Sequence, residues 1–469
     1  MASELAAKAI QPIVFIVLAR LLTPEDFGIM TSALMVISFS QIFWEAGMGK
    51  ALIQRQTDLE EAANAAFWVN ITLGGLIAGL LYLFAQPIAL TFFQDDRVTA
   101  VLQVMTLQVM LGALSSVQIA LLQKEMGFRK LFWVRLATVS LPGLASIPLA
   151  WNGMGYWALV TGILAGQAVQ AIMLWRMSNW RPRGTFQPGL AKEMGRFGAW
   201  VGMSGLLAWF YVWADALIVG LYLGSHELGL YQTGNQFAAM IFAILFGPIA
   251  PVFYSYLSRM GGDRERIRQA ARKVIKAITF LSIPLALVIF FLASPMAEAL
   301  FGSRWQGIEL IIGVMALVHG FAWVIGMNGE VYRALGKPSH ETLMSAAPVV
   351  IYLFGYLISI QYGLEVFLWS RLGLAIAAIL LQLFFIGAIL SIPIVSIIRY
   401  ISIVFTICAV PIWAASYFLT QIVATPLRHF VMGGATNIAI VITVLYILER
   451  DGILKELGWM LGDQEKPDK

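Results

Sequence analysis

Cysteine is nearly absent from this sequence, and charged residues are scarce. The single cysteine, Cys408, excludes an intramolecular disulfide framework. Only 12% of the 469 residues are charged, whereas soluble domains average about 25%. Since 59% of the residues are hydrophobic, too little polar surface remains to solvate a water-soluble globule of this size. A lipid bilayer is therefore the expected solvent.

Residue patterns that usually form catalytic or metal sites are also missing. The sequence contains no phosphate-binding Walker loop and no cluster of metal ligands. Its few histidines are scattered along the chain, at positions 226, 319, 340 and 429. We therefore expect no catalytic residue, no metal site and no cofactor.

Long apolar runs dominate what is present. About 20 apolar residues are needed to cross ~30 Å of hydrocarbon, and backbone polar groups in lipid must be paired internally, which favours helices. We predict an all-α polytopic membrane protein with 14 transmembrane helices. The predicted spans are 4–22, 27–49, 62–85, 98–122, 131–151, 155–177, 197–222, 229–257, 275–300, 306–334, 341–361, 364–391, 399–421 and 428–448.

Lysine and arginine are distributed unevenly over the connections between these spans. The odd-numbered connections hold only Arg20, Arg97, Arg304 and Arg428, and Arg371 lies inside a span. All the other basic residues lie at the N-terminus, in the even-numbered connections and in the C-terminal tail. Cytoplasmic loops retain Lys and Arg during insertion. We therefore predict a multi-pass protein of the bacterial inner membrane, with both termini cytoplasmic and no cleavable signal peptide.

An internal repeat relates the two halves of the chain. LTPEDFGI (22–29) matches LGSHELGL (223–230) at an offset of 201 residues. Three further matches follow at offsets of 208 to 210: Phe93 with Phe301, Gly127 with Gly336, and NGMGYW (152–157) with YGLEVF (362–367). The implied unit is six spans, so the copies have the same orientation and face each other across a central cavity.

This repeat defines the predicted domains. They are an N-terminal lobe (1–177), a cytoplasmic linker (178–196), a C-terminal lobe (197–391), and a final segment (392–469) with two further helices and the tail. The linker and the connection 258–275 are the richest in basic residues. We interpret them mainly as topology determinants that contact anionic lipid head groups, with capture of an anionic substrate as the alternative.

Several motifs carry a resemblance to a known family. They are LARLLTPEDFGIM (18–30), GMGKALIQR (47–55), ALLQKEMGFRK (120–130), GMGYWALV (153–160), DALIVGLYLGSHELGLYQTGNQFA (215–238) and LFGSRWQGIELIIGVMAL (300–317). The chain resembles polysaccharide-export, Wzx-like flippases of the multidrug/oligosaccharidyl-lipid/polysaccharide exporter superfamily. The motifs cover most of the first twelve spans.

The resemblance implies a function. It implies that undecaprenyl-diphosphate-linked oligosaccharide moves across the inner membrane by alternating access coupled to H⁺ or Na⁺, for O-antigen, capsule or exopolysaccharide synthesis. We expect this glycan lipid, the coupling ion, membrane lipids and the polysaccharide polymerase machinery as partners, and no nucleic acid. A drug/cation antiporter of the same superfamily is the alternative. A membrane enzyme of glycan assembly is less favoured, because the longest connection is only about twenty residues.

Ionisable groups inside spans are costly and are therefore functional candidates. Asp215 lies in span 7 and is predicted to be a coupling-ion site or gate, or half of a fixed ion pair. Arg371 lies at a similar depth in span 12, where it can pair with Asp215, bind the diphosphate, or extend to the interface. Trp209, Tyr211 and Trp213 beside Asp215 are candidates for stacking on sugar rings.

Span 10 carries His319, Trp323, Glu330 and Arg333 at helical spacing, so one face is predicted for them. His319 suits proton coupling, because histidine changes charge near neutral pH, and a packing role is the alternative. Glu330 and Arg333 are three residues apart and can simply pair.

Three further candidates lie near span ends: Glu45, Arg20 and Arg135. Glu45 and Arg20 belong to the opening motif of the resemblance. Arg135 is positioned to meet diphosphate at the entrance. For all three we favour a role in topology or packing over substrate binding.

Overall fold

The chain folds as an all-helical protein, as the sequence predicts. The computed structural model describes residues 2–45, 47–423 and 425–449, and every regular element in these ranges is a helix. The predicted cytoplasmic tail after residue 449 lies outside the described residues. The chain forms two compact units, residues 1–232 and 233–469.

The helices are numbered in chain order. Up to the boundary between the units they are α1 (Ala2–Leu21), α2 (Pro24–Glu45), α3 (Met48–Gln54), α4 (Leu59–Leu83), α5 (Ala85–Ile88), α6 (Arg97–Lys124), α7 (Phe128–Trp151), α8 (Tyr156–Met177) and α9 (Pro188–Phe246), which continues into the second unit. The remaining helices are α10 (Ile249–Ser258), α11 (Arg264–Phe291), α12 (Ala293–Leu300), α13 (Ile308–Ile325), α14 (Asn328–Ala334), α15 (Pro338–Ser359), α16 (Leu364–Leu390), α17 (Ile394–Ile422) and α18 (Pro426–Glu449).

Most of these helices have the length of a membrane span. In the described part of the chain, 11 helices are long and apolar enough to cross a membrane, and α9 is counted once although Gly224 interrupts it. Two shorter apolar helices, Gln11–Leu21 and Pro348–Tyr362, coincide with predicted spans 1 and 11. Every predicted span overlaps a helix, and the total of fourteen crossings stays a prediction.

Small residues allow close helix packing in the first unit. Ala62, Ala63, Ala65 and Ala66 of α4 are all completely buried, in a core to which α3, α6 and the start of α9 also contribute. In membrane bundles such residues let helix backbones approach closely. Similar approaches occur in the second unit, where a Cβ added to Gly320 of α13 would lie 2.5 Å from the Ala286 Cβ of α11.

The basic connection 258–275 is mostly helical, which corrects the prediction of a loop. Helix α11 already begins at Arg264, because the Asp263 carboxylate caps it by accepting hydrogen bonds from the backbone N–H groups of Glu265 and Arg266. Glu265 also pairs with Arg268 at 2.6 Å. Hydropathy detects the charges of this segment but does not show that the helix of predicted span 9 already begins within it.

The predicted linker 178–196 is only partly extended. Its second half belongs to α9, which begins at Pro188, a residue whose fixed φ suits a helix start. The non-helical part is fixed to α4 by Arg183. The Arg183 guanidinium pairs with Glu60 at 2.8 Å, and its backbone N–H donates to Asn64 Oδ1 at 2.8 Å.

Two helix breaks recur at nearly the same spacing as the repeat. Phe84 ends α4 with φ −97° and ψ 9°, and Leu292, 208 residues later, ends α11 with φ −98° and ψ 6°. Gly155 and Gly363, also 208 residues apart, precede α8 and α16. The sequence match of 152–157 with 362–367 has an offset of 210 residues, so the glycines that precede the two helices place this pair at an offset two residues smaller. The six-span repeat itself remains a prediction that these similarities support.

Candidate functional site

Two neighbouring cavities in the first unit lie on either side of the Glu45 end of α2. They share Gln41 and Glu45, which are one helical turn apart and therefore lie on the same face. The Gln41 amide donates a hydrogen bond to Glu45 Oε2 at 3.1 Å. This pair forms a polar wall between the two cavities.

The larger cavity, which we call the aromatic cavity, has a volume of about 340 Å³. Helix α9 supplies Trp209 and Trp213, one turn apart, and α3 supplies Lys50. The Trp209 indole donates to Ser38 Oγ at 3.0 Å and meets the Phe39 ring edge-on at 4.9 Å between centroids. These two contacts fix the orientation of the Trp209 ring beside the polar groups of the cavity.

Gly47 positions Lys50 at this cavity. Gly47 has a φ of 64° and precedes α3, and a Cβ at this position would lie 2.8 Å from the Gly198 Cα of α9. Only glycine tolerates both the left-handed conformation and this close approach. The turn therefore brings the start of α3 against α9.

The smaller cavity, which we call the amide cavity, has a volume of about 180 Å³. It lies between α2, α6 and α8, and carboxamides from all three helices line it: Gln41, Gln108, Gln167 and Gln170. Gly112 makes room for the Trp44 ring, which would lie 2.9 Å from a Cβ at that position. Among the described lining residues, Glu45 is the one ionisable group.

These cavities suit a polar, largely uncharged ligand. Ligand sites usually occupy about 300–1,000 Å³ and combine aromatic walls with a few placed polar groups, and the aromatic cavity has both features. Carboxamides donate and accept hydrogen bonds, as ligand hydroxyls do. A hydroxyl-rich molecule with flat apolar faces would match both cavities.

Asp215, the first predicted site residue, is buried close to the Tyr231 hydroxyl. Asp215 is 6% exposed, and the Tyr231 hydroxyl donates to Asp215 Oδ2 at 2.7 Å. Tyr231 itself is completely buried. The Tyr231 hydroxyl therefore supplies a hydrogen-bond partner to one buried carboxylate oxygen of Asp215. The pairing of Asp215 with Arg371 stays a prediction.

His319 packs against the second part of α9. Its Nε2 atom lies 3.0 Å from Asn235 Oδ1, within hydrogen-bond distance, and its ring lies 6.3 Å from that of Phe242. One turn along α13, the Trp323 ring meets Phe246 at 5.4 Å. This is the packing environment that the sequence left open as an alternative to proton coupling.

The predicted single face on span 10 is interrupted. Helix α13 ends at Ile325 and α14 begins at Asn328, in a segment where Gly326 and Asn328 have low helix propensity. Arg333 pairs with Glu330 at 2.7 Å and with Glu341 at 3.3 Å. Glu330 and Arg333 therefore form a separate cluster, away from the contacts of His319.

Of the remaining predicted residues, Glu45 lines both cavities, and Arg371, Arg20 and Arg135 line neither. The Arg371 guanidinium lies 5.9 Å from the Tyr356 ring centre, a cation–π arrangement. Arg20 is exposed in the last turn of α1, and Arg135 is exposed near the start of α7. Trp209 and Trp213 line the aromatic cavity as predicted candidates for sugar stacking, whereas Tyr211 is exposed and does not.

A third cavity, of about 470 Å³, opens at the other end of α2. Arg97 donates two hydrogen bonds of 2.9 Å to Asp95 and lies 3.5 Å from Glu25, which is 3.9 Å from the His226 ring. Burial raises the pKa of the Asp95 carboxyl, but hydrogen bonds from Arg97 and Ser225, together with the charge of Arg97, outweigh burial and hold that pKa below its ordinary value. This ion-pair network joins the starts of α2 and α6 to α9.

Comparison with known proteins identifies the family. A model of the family described as "Polysaccharide biosynthesis protein" matches residues 17–309, more than half of the chain. The chain belongs to this family. The resemblance seen in the sequence motifs is thereby confirmed.

The chain is also similar to named proteins of polysaccharide biosynthesis. The chain is 29% identical over 304 residues to the succinoglycan biosynthesis transport protein ExoT of Rhizobium meliloti, a match that covers 65% of this chain and 61% of ExoT. The chain is also 22% identical to the lipopolysaccharide biosynthesis protein WzxC of Escherichia coli, over 71% of this chain and 66% of WzxC. The chain therefore spans less than two thirds of the length of either relative.

Solved structures show the same fold. The lipid II flippase MurJ, in an inward closed conformation, superposes with a TM-score of 0.78 over 96% of this chain and 98% of MurJ, at 14% identity. An inward-facing MATE family multidrug resistance transporter superposes with a TM-score of 0.61 over 82% of this chain and 98% of the transporter. At these identities the likeness establishes the fold alone.

Sequence reasoning missed the glutamines of the amide cavity and the polar partners of Asp215 and His319. Ionisable groups inside spans are marked by their high cost, whereas uncharged glutamine and asparagine side chains cost less and give a weaker signal. A usable signal exists in the spacing of Gln167 and Gln170, three residues apart on one helix face. Nothing in the sequence links that pair to Gln108.

Proposed function

We propose that this polysaccharide biosynthesis family protein translocates undecaprenyl-diphosphate-linked oligosaccharide across the bacterial inner membrane. The direction is from the cytoplasmic to the periplasmic leaflet, with both termini cytoplasmic, in O-antigen, capsule or exopolysaccharide synthesis. The observation that carries the proposal is the aromatic cavity, which presents Trp209, Trp213, Gln41, Glu45 and Lys50 inside a bundle of apolar helices. The named relatives act in polysaccharide biosynthesis, which supports the same cargo class.

The cargo has three parts with different physical needs. The glycan cannot cross hydrocarbon unaided, and a polar cavity with aromatic walls replaces its water shell. The diphosphate requires cations, and Lys50, Arg135 and Arg371 are the candidates among the residues discussed. The lipid tail needs no protein cavity, because it stays in the bilayer.

The transport step that we propose is alternating access between two lobes, residues 1–177 and 197–391, coupled to H⁺ or Na⁺. Asp215 and His319 are the candidate coupling groups. Asp215 is the stronger candidate for this role, because it is a buried carboxylate and a carboxylate inside a span is a preferred site for a coupling cation or proton. The interior of each lobe changes little in such a mechanism, since the lobes move largely as rigid bodies.

The alternative is a drug/cation antiporter with the same fold. The aromatic cavity favours the glycan, because it places a cation, Lys50, beside the carboxylate of Glu45, and a cationic drug would be repelled by Lys50. A membrane enzyme is not supported, because no constellation of nucleophile, base and orienting group has been found among the described residues of the two cavities.

Transport in proteoliposomes tests the proposal. The purified full-length protein is reconstituted with undecaprenyl diphosphate carrying a labelled oligosaccharide, and the label is assayed with an enzyme outside the vesicles. We expect the label to become accessible to the enzyme far faster in vesicles with the protein than in protein-free vesicles. We also expect this rate to depend on a H⁺ or Na⁺ gradient. Drug efflux without movement of the glycan lipid would instead establish the antiporter.

A further inference from the structure

The amide cavity differs from the aromatic cavity in chemistry as well as in size. Its carboxamides come from three separate helices, and no lysine, arginine or histidine is found among its described lining residues. The one charge beside it is the Glu45 carboxylate, which Gln41 holds by a hydrogen bond. A site with this composition repels anions and offers hydrogen bonds to neutral groups.

Gln108 provides an independent sign that a ligand or water enters this cavity. The Gln108 Oε1 atom is buried and accepts no hydrogen bond from the described residues. Buried polar atoms in folded proteins nearly always have a partner. Because Gln108 lines the amide cavity, a hydroxyl placed there can supply the missing donor.

The volume of the cavity limits the size of this ligand. A volume of about 180 Å³ holds about six waters, since one water occupies about 30 Å³ in the liquid. A single pyranose ring with its hydroxyls replaces a comparable number of waters. A longer glycan segment does not fit, and a lipid chain would leave the carboxamides without partners.

We propose that the amide cavity binds one uncharged sugar unit of the transported glycan. This inference rests on the proposed function and adds a preference for an uncharged over an acidic sugar. Carboxamides on three sides match the alternating donors and acceptors of a sugar ring, whereas Glu45 disfavours an acidic sugar. Because Gln41 and Glu45 also line the aromatic cavity, an adjacent sugar unit can stack on the tryptophans there.

The test compares two lipid-linked sugars in proteoliposomes of the full-length protein. The probes are undecaprenyl diphosphate carrying one glucose and the same lipid carrying one glucuronate. We expect the wild-type protein to move the glucose form about ten times faster than the glucuronate form, a difference of about 1.4 kcal/mol in activation free energy. The Gln108→Leu variant should remove most of this preference by slowing the glucose form.

A matched variant controls for changes in folding. Gln103→Leu makes the same replacement on the same helix, α6, outside both cavities, and should keep the wild-type preference. Gln170→Leu, from α8, should reproduce the effect of Gln108→Leu. Melting temperatures of the purified variants establish that they are folded.

The outcomes separate this inference from the proposed function. Equal wild-type rates for the two sugars, or equal slowing of both by Gln108→Leu, would overturn the sugar subsite and leave the flippase function intact. If the wild-type protein moves neither lipid-linked sugar nor a longer lipid-linked oligosaccharide, the proposed function itself fails.

Discussion

Gly28 and Gly229, which hold the same position in the two copies of the repeated motif, meet at a backbone crossing. A Cβ on Gly28 would lie 1.7 Å from the Ser225 carbonyl oxygen, and a Cβ on Gly229 would lie 1.8 Å from the Pro24 carbonyl oxygen. The contact is reciprocal, because Pro24 and Ser225 are also 201 residues apart. Two-fold related surfaces make contacts of this kind, so the crossing supports the predicted repeat.

The first prediction follows from this crossing. Gly28→Ala and Gly229→Ala should each lower the free energy of unfolding by about 1–3 kcal/mol, the usual cost of overpacking, because the neighbouring atoms are backbone and cannot rotate away. Thermal unfolding of the detergent-purified protein measures the effect. The double variant should lose less unfolding free energy than the two single variants together, because both substitutions push apart the same backbone crossing.

Gly75→Ala is the matched control for the crossing. Gly75 lies in the middle of α4, and a Cβ there would have no neighbour within 4 Å. Alanine should therefore leave stability unchanged or raise it through better helix propensity. If Gly28→Ala and Gly75→Ala behave alike, the close approach at the crossing is wrong.

The second prediction separates the charge of Asp215 from its hydrogen bond. Asp215→Asn keeps one oxygen that can accept from the Tyr231 hydroxyl but loses the oxygen that accepts from the Ala216 backbone N–H, so stability should fall slightly while glycan export falls strongly. Tyr231→Phe removes the donor from a buried carboxylate and should lower the free energy of unfolding by about 1.5–3 kcal/mol. Export in a complemented flippase-deficient strain and melting of the purified protein measure the two effects. Full export by Asp215→Asn would exclude a role for the charge.

The third prediction concerns Arg371. Arg371→Ala should impair export without lowering the amount of protein in the membrane, because an arginine within a span is energetically costly and is therefore a functional candidate. Arg371→Lys keeps the charge but not the planar group over the Tyr356 ring. Its export level should therefore lie between that of the Arg371→Ala variant and that of the wild type. Normal export by the alanine variant contradicts the proposed contact with diphosphate.

The structure also shows how far the sequence determines the fold and the site. Long apolar runs predicted the helices correctly, because a bilayer leaves the backbone no other choice. The break at Gly224 lies in the predicted connection between spans 7 and 8, whereas the break after Ile325 falls inside predicted span 10 and was not predicted. Glu45 was predicted as a candidate, but its cavities were not, because Gln108 and Gln170 come from helices that approach only in the folded bundle.

The fourth prediction is a pH dependence at the third cavity. The lowered pKa of Asp95 means that the folded state releases this proton more readily than the unfolded chain does. The resulting stability is present above the unfolded pKa, near 3.8, and is lost as the pH falls through the lower folded value. Arg97→Gln should therefore lower the melting temperature at pH 7, with a difference that shrinks as the pH approaches 3. Arg97→Lys keeps the charge but not the paired hydrogen bonds, so its melting temperature at pH 7 should lie between those of Arg97→Gln and the wild type. A deficit that is independent of pH would show that Asp95 is not the group that responds.

The fifth prediction tests the wall of the aromatic cavity. Trp213→Leu removes a flat aromatic face beside Gln41 and Glu45, and should slow translocation of the glycan lipid about tenfold, which corresponds to about 1.4 kcal/mol of lost contact with the bound sugar.

Trp200→Leu is the matched control for this wall, because Trp200 lies on the same helix, is 75% exposed and does not line the cavity. Both variants lose one indole from α9, so a general loss of aromatic residues affects them equally. The proteoliposome assay with labelled oligosaccharide measures both rates. Equal rates for the two variants would mean that the cavity does not hold the glycan, and would move the search for its binding site to the second unit, where Trp323 and Arg371 are the next candidates.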